Sequence, residues 1–187
     1  MRVVFTNGDD CFWPEARQVG STLLGLSLLF YWGSASFADV YGRVVRVSDG
    51  DTVVVLDGEY VQHKVRLAGI DAPEKGQPFG QRSKQALSEC AAGKTVHVDG
   101  SKRDRYGRLV GKVWANTTDC NLRQLTLGLA WHYKKYVGEQ SDADAAEYGG
   151  SELLARERQL GIWSDRDPQP PWDYRSASRV HGTGETE

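Results

Sequence analysis

Between residues 41 and 70 apolar and polar positions alternate in steps of two, interrupted at two turns. The run "YGRVVRVSDGDTVVVL" (41–56) is β-branched on both sides of an Asp-Gly dipeptide, which is the pattern of two strands joined by a tight turn. After Asp57-Gly58-Glu59, "YVQHKVRLAGI" (60–70) sets His63, Val65 and Leu67 against Lys64 and Arg66, so a third strand completes a meander. The period then lengthens. "FGQRSKQALSECAAG" (79–93) has helical composition and ends on a capping glycine. "KTVHVDG" (94–100) returns to period two, and the second half of 101–115 reads as another strand. Leu122, Leu125 and Leu129 stand at helical spacing. A third helix is predicted from about Ser151 to Gly161, carrying Leu153, Leu154 and Leu160. The Pro-rich stretch that follows cannot continue it. The order of elements predicts an α+β fold, a small curled sheet with helices packed at one side.

The first 38 residues follow another pattern. No charge occurs from 18 to 38, and "STLLGLSLLFYW" (21–32) is an apolar block followed by small residues, with Ser36 and Ala38 in the small-x-small arrangement of a cleavage site. Residues 1–38 therefore read as a signal peptide cleaved after Ala38, which implies a secreted or periplasmic protein. If retained, the block would serve as an N-terminal membrane anchor. The remaining chain divides into a domain over 39–164 and a Pro-rich tail over 165–187, in which Trp172 and Tyr174, with Trp163 before it, are expected to pack back on the domain.

Charge narrows the chemistry. With 23 Lys and Arg against 25 Asp and Glu in 187 residues, no global positive field draws polyanions, so anion recognition must rest on local clusters. Cys90 and Cys120 are the two cysteines beyond residue 38. An even number in an exported chain suits one disulfide, and two buried free thiols are the alternative.

Taken alone, Asp49-Gly50-Asp51 is a hairpin turn with solvated carboxylates. Its neighbours suggest more. Arg66 ends a strand, "LAGIDAPE" supplies Asp71 and Glu74 around Pro73, and "KRDRYGR" (102–108) is a cationic loop closed by Arg108. Two carboxylates from strand ends make a hard oxygen site for a divalent cation, and a third can act on a water. Two guanidinium forks suit a phosphodiester whose negative charge grows in the transition state.

The motifs "DGDTV", "VRLAGIDAPE", "DRYGR" and "LGLAWHYKKY", in this order and spacing over about residues 42–163, resemble the thermonuclease, or staphylococcal nuclease-like, family. That resemblance implies a five-stranded OB-type β-barrel with three helices. It also implies a calcium-dependent, sugar-nonspecific endonuclease that hydrolyses DNA and RNA to 3'-phosphate ends; no stable protein partner is implied. Carried over position by position, Asp51, Asp71 and the backbone carbonyl of Ala72 match the Ca2+ ligands. Glu74 matches the general base, and Arg66 and Arg108 match the phosphate-binding arginines. Tyr106, Tyr133, Lys134 and Tyr136 fall at or beside substrate-contact positions. Asp49 reads as a turn former or a supporting partner, and His132 as incidental. The chain departs from the family pattern at Ala72, in a shorter link after Glu74, and at Lys134, where the pattern has tyrosine. A non-catalytic binding module of the same fold is the alternative, and loss of acidic or arginine positions would be its signature.

Overall fold

Val44, Val53, Val55, Val65, Val96, Val98 and Val113, all buried, converge from five strands onto one core. The structure, a computed structural model, describes residues 39–182. Strand β1 (Val40–Asp49) pairs antiparallel with β2 (Thr52–Asp57), and β2 with β3 (Gln62–Leu67). After the two-residue β4 (Ile70–Asp71) and helix α1 (Gly80–Ala91), β5 (Thr95–Arg103) returns beside β1, and β6 (Leu109–Ala115) pairs with β5. A parallel pairing of β3 with β6, Arg66 opposite Val110, closes the sheet into the expected five-stranded OB-type barrel. Register shifts in β1 between Val44 and Arg46 and between Val47 and Asp49 bend the strand at its closing end, as bulges do. A short β7 (Thr118–Asp119) extends the sheet at β6.

Helix α2 (Cys120–Thr126) follows at once, capped by Asp119, whose carboxylate accepts from the N–H groups of Asn121 and Leu122. Strand β8 (Trp131–His132) pairs with β4, Asp71 opposite Trp131. A 3-10 helix (Lys134–Glu139), helix α3 (Asp142–Glu157), a second 3-10 helix (Gly161–Ser164) and helix α4 (Pro171–Gly182) complete the described chain. Cys90 of α1 and Cys120 of α2 are joined by a disulfide, Cα to Cα 5.9 Å.

The helix count corrects the three-helix expectation: four α-helices and two 3-10 helices are present among the described residues. The fourth arises in the stretch read as a tail. The preceding elements end ahead of its prolines, α3 at Glu157 and the second 3-10 helix at Ser164, and Pro171 is the first residue of a new helix, where the missing N–H costs nothing and the fixed φ is already helical. The third helix also starts nine residues earlier than Ser151, because Ser141 accepts from the N–H of Asp144 as its cap. Leu153, Leu154 and Leu160 are exposed, and α3 instead buries Tyr148, Glu152 and Ala155. Among the described residues no helix is long and apolar enough to cross a membrane. The apolar block at 21–32 lies outside them.

Candidate active site

The turn between β1 and β2 is not a solvated one. Gln124 of α2 donates from Nε2 to the carbonyls of Gly50 and Ser83, and Ser83 of α1 donates to the carbonyl of Leu129 at 2.8 Å. A Cβ on Gly50 would collide with Ser83 Oγ, so glycine is required where the turn passes under α1. Asp49 accepts from the N–H of Asp51 at 3.1 Å, which makes it the turn former. The consequence is that Asp51 is held inside the protein at 4% exposure.

Asp71 is also buried, at 0%, because β4 lies against β8. Two buried carboxylates require partners, and Arg66 links them. Its Nη1 pairs with Asp51 Oδ1, while Nη2 donates to Asp71 Oδ1 at 2.6 Å and to the carbonyl of Ile70 at 3.3 Å. Burial pulls the Arg66 guanidinium below its ordinary value, with Asp71 opposing that shift. Asp51 is completed by the Thr52 hydroxyl at 3.0 Å and by the N–H of Ala72 at 2.7 Å. The backbone of Ala72 therefore adjoins the Asp51 carboxylate.

Asp51, Arg66 and Ala72 line a cleft of about 890 Å³ that Glu74, Arg108, Tyr106, Tyr133 and Tyr136 also line, with Asp71 behind it. Arg108 is aimed by Asp104, which accepts from Arg108 Nε at 2.7 Å and from the N–H groups of Tyr106 and Arg108. Burial raises the Asp104 pKa, but these hydrogen bonds outweigh it, and the carboxyl titrates below its ordinary value. The Arg108 guanidinium lies 5.4 Å from the centre of the Tyr106 ring. Lys134 turns elsewhere: its ammonium pairs with Glu152 of α3 at 3.0 Å, and it does not line the cleft. His132 is buried, with Nε2 2.8 Å from Gln140 Oε1.

One residue of the cleft was not singled out from the sequence. Arg175 of α4 donates from Nη2 to Asp71 Oδ2 at 2.7 Å, and from Nη1 to Asp71 Oδ1 at 3.2 Å and Glu74 Oε1 at 2.7 Å. Burial lowers its pKa, but the hydrogen bonds and charges of Asp71 and Glu74 prevail and raise it. Reading 171–182 as a helix starting at Pro171 would have placed Trp172 and Arg175 on one face, which is the signal available for it.

An all-oxygen donor set of two buried carboxylates with a third, Glu74, nearby suits a hard divalent cation. The positive charge that these carboxylates demand is supplied by guanidinium groups. Among the described residues no three His, Cys, Asp or Glu side chains stand together in a metal-holding group, and Arg175 is inserted between Asp71 and Glu74.

Comparison with known proteins points to one family. The model of the family described as "Staphylococcal nuclease homologue" matches residues 64–165. A micrococcal nuclease of Shigella flexneri is 42% identical over 153 residues, covering 77% of this chain and 85% of that protein. An uncharacterized endonuclease of Escherichia coli O157:H7 is 42% identical over 139 residues, 74% of this chain and 86% of its own. A staphylococcal-like nuclease of Arabidopsis thaliana is 32% identical over 76% of this chain, which spans 43% of that longer protein. With its barrel, its turn-borne carboxylates and this extent of similarity, the chain belongs to the staphylococcal nuclease homologue family.

Proposed function

We propose that the protein is a calcium-dependent, sugar-nonspecific endonuclease that hydrolyses phosphodiester bonds of DNA and RNA and leaves 3'-phosphate ends. The observation that carries this reading is the pair of buried carboxylates, Asp51 and Asp71, both bonded to the Arg66 guanidinium, with Asp51 and Arg66 at the wall of a cleft that Glu74 and Arg108 share. Asp51, Asp71 and the carbonyl of Ala72 would hold the Ca2+ ion, which supplies charge neutralisation and polarises a water and the phosphate.

Glu74 accepts the proton of the attacking water. The water oxygen bonds to phosphorus as the bond from phosphorus to the 5' oxygen breaks, and the departing 5' oxygen takes a proton from solvent, so the phosphate remains on the 3' oxygen and a 5' hydroxyl is released. Arg66 and Arg108 take the phosphate oxygens on their forks, whose hydrogen bonds strengthen as charge builds in the pentacoordinate state. Tyr106, Tyr133 and Tyr136 offer rings to the nucleotides. The disulfide supports the reading of 1–38 as an export signal, since such bonds persist in oxidising compartments.

Release of acid-soluble nucleotides from plasmid DNA and from RNA, with and without calcium, tests the proposal. Activity that needs calcium, is lost in Glu74→Gln, and yields ends that polymerase extends only after phosphatase treatment is the expected result. Full activity in chelator, or in Glu74→Gln, would overturn it.

A further inference from the structure

Two separate contacts of α4 fall on the cleft. At one, Arg175 takes both oxygens of Asp71 and one of Glu74. A carboxylate offers about four acceptor positions, and Asp71 already gives one to Arg66, so little of it is left to bind an ion while Arg175 stays. At the other, Trp172 stacks on Tyr133, ring centres 5.5 Å apart and planes 25° from parallel, and meets Trp131 edge-on at 6.4 Å. One face of a ring proposed to contact nucleotide is thereby covered. The linker before the helix is fixed as well, because Gln77, three residues after Glu74, donates from its side chain to the carbonyl of Gln169. Tyr174 lies against Gly76 in the same loop.

Charge gives these contacts a direction. Arg175 brings a positive charge to oxygens that a divalent cation would use, and two cations cannot share them without strong repulsion. A ligand that binds the open arrangement better than the closed one shifts the population toward it, and its apparent affinity falls in proportion to the closed fraction. We propose that α4 is an autoinhibitory strap, with Arg175 standing in for the metal at Asp71 and Glu74 and Trp172 covering Tyr133, which calcium and nucleotide together must displace. The proposal rests on the metal-site reading above. It adds that the protein regulates that site through its own C-terminal helix.

The test is calcium binding to the full chain, followed by calorimetry in the presence of a nucleoside 3',5'-bisphosphate. Arg175→Gln removes the competing charge and is expected to tighten calcium about tenfold, if the closed form outweighs the open by a similar ratio. Trp172→Ala leaves the carboxylates untouched, loosens the same helix and is expected to act in the same direction. It also guards against a folding defect peculiar to the arginine variant. In the wild-type protein, amide hydrogen exchange over 171–182 is expected to quicken when calcium and bisphosphate are added.

Equal calcium affinity in all three proteins would overturn the strap and leave the metal site standing. Weaker affinity in Arg175→Gln would overturn it in favour of Arg175 as a support for Asp71 and Glu74. No calcium binding in any of them would overturn the strap and the metal-site reading together.

Discussion

Arg66 touches Asp51, Asp71 and the carbonyl of Ile70 from one planar group, and a lysine ammonium cannot span that arrangement. Arg66→Lys is therefore expected to lower kcat/KM by on the order of 10²-fold, as for loss of one fixed donor to a charged transition state. An unchanged pH optimum would accompany it if Glu74 remains the base. Arg66→Met is a sharper probe, because it leaves two buried carboxylates short of a cation. Such a change costs about 3 kcal/mol or more, and added calcium is expected to restore part of it, since an ion bound to the folded state stabilises by mass action. Urea unfolding with and without calcium measures both. A variant as stable as wild type in chelator would show that Arg66 does not neutralise the pair. At this scale the sequence was informative where chemistry lay in short motifs: Asp51, Arg66, Glu74 and Arg108 all line one cleft, and Asp71 lies behind its wall, bonded to Arg66. Arg175 was not legible, because it stands 101 residues from Glu74 in a stretch whose prolines suggested a tail.

Helix α3 shows how an element is fixed to the barrel by polar groups when its leucines face outward. Lys112 of β6 pairs with Asp144 at 2.7 Å and with Asp119 at 3.4 Å, and Tyr148 donates to Asp119 at 3.0 Å. Burial first, and then the charge of Asp119, raises the Tyr148 pKa, which keeps the hydroxyl a donor. Asp144 loses some hydration, but hydrogen bonds from Lys112 and Ser141 prevail and hold it below 3.8. Lys112 likewise loses hydration, and Asp144 and Asp119 hold it above 10.5. A depressed carboxyl contributes stability above its unfolded pKa and loses it as pH falls through the folded one. A raised lysine contributes below its unfolded pKa and loses it as pH rises through its own. The clamp is accordingly complete between the ordinary values of 3.8 and 10.5. Asp144→Asn is expected to cost about 1 kcal/mol across that window, with the difference from wild type vanishing in more acidic solution. Melting curves at a series of pH values decide it, and a constant difference down to strong acid would remove Asp144 from the account. The start of α3 was misread for the same reason that the clamp was invisible. Ala145, Ala146, Gly149 and Gly150 carry little apolar pattern, so the helix is set by a serine cap and tertiary ion pairs rather than by periodicity.

Across the whole molecule, the barrel and the helices meet at the turn that carries Asp51, and the disulfide spans the two helices that hold it. Ser83 and Cys90 belong to α1, and Cys120 and Gln124 to α2. Gln124 links Ser83 to Gly50, while the bridge joins the same two helices elsewhere along their length. The cysteine count made a bridge plausible, and the strand pattern made the barrel legible. That both converge on one turn depends on packing between segments 30 or more residues apart, which no local pattern encodes. Closing a loop of 30 residues stabilises by up to about 3 to 4 kcal/mol on the chain-entropy model, or about 10 °C in Tm for a domain of this size. That entropy belongs to the unfolded chain, whereas the hydrogen bonds from Ser83 and Gln124 belong to the folded one and survive reduction. Reduced and alkylated protein is therefore expected to melt about 10 °C lower and to cleave DNA at an unchanged rate well below its melting point. Calorimetry and nuclease assays on the same sample, with mass spectrometry to verify two alkylated thiols, separate the effects. If activity fell at low temperature while the protein stayed folded, the bridge would be positioning the Asp51 turn directly, and the division between global stability and local geometry would be wrong.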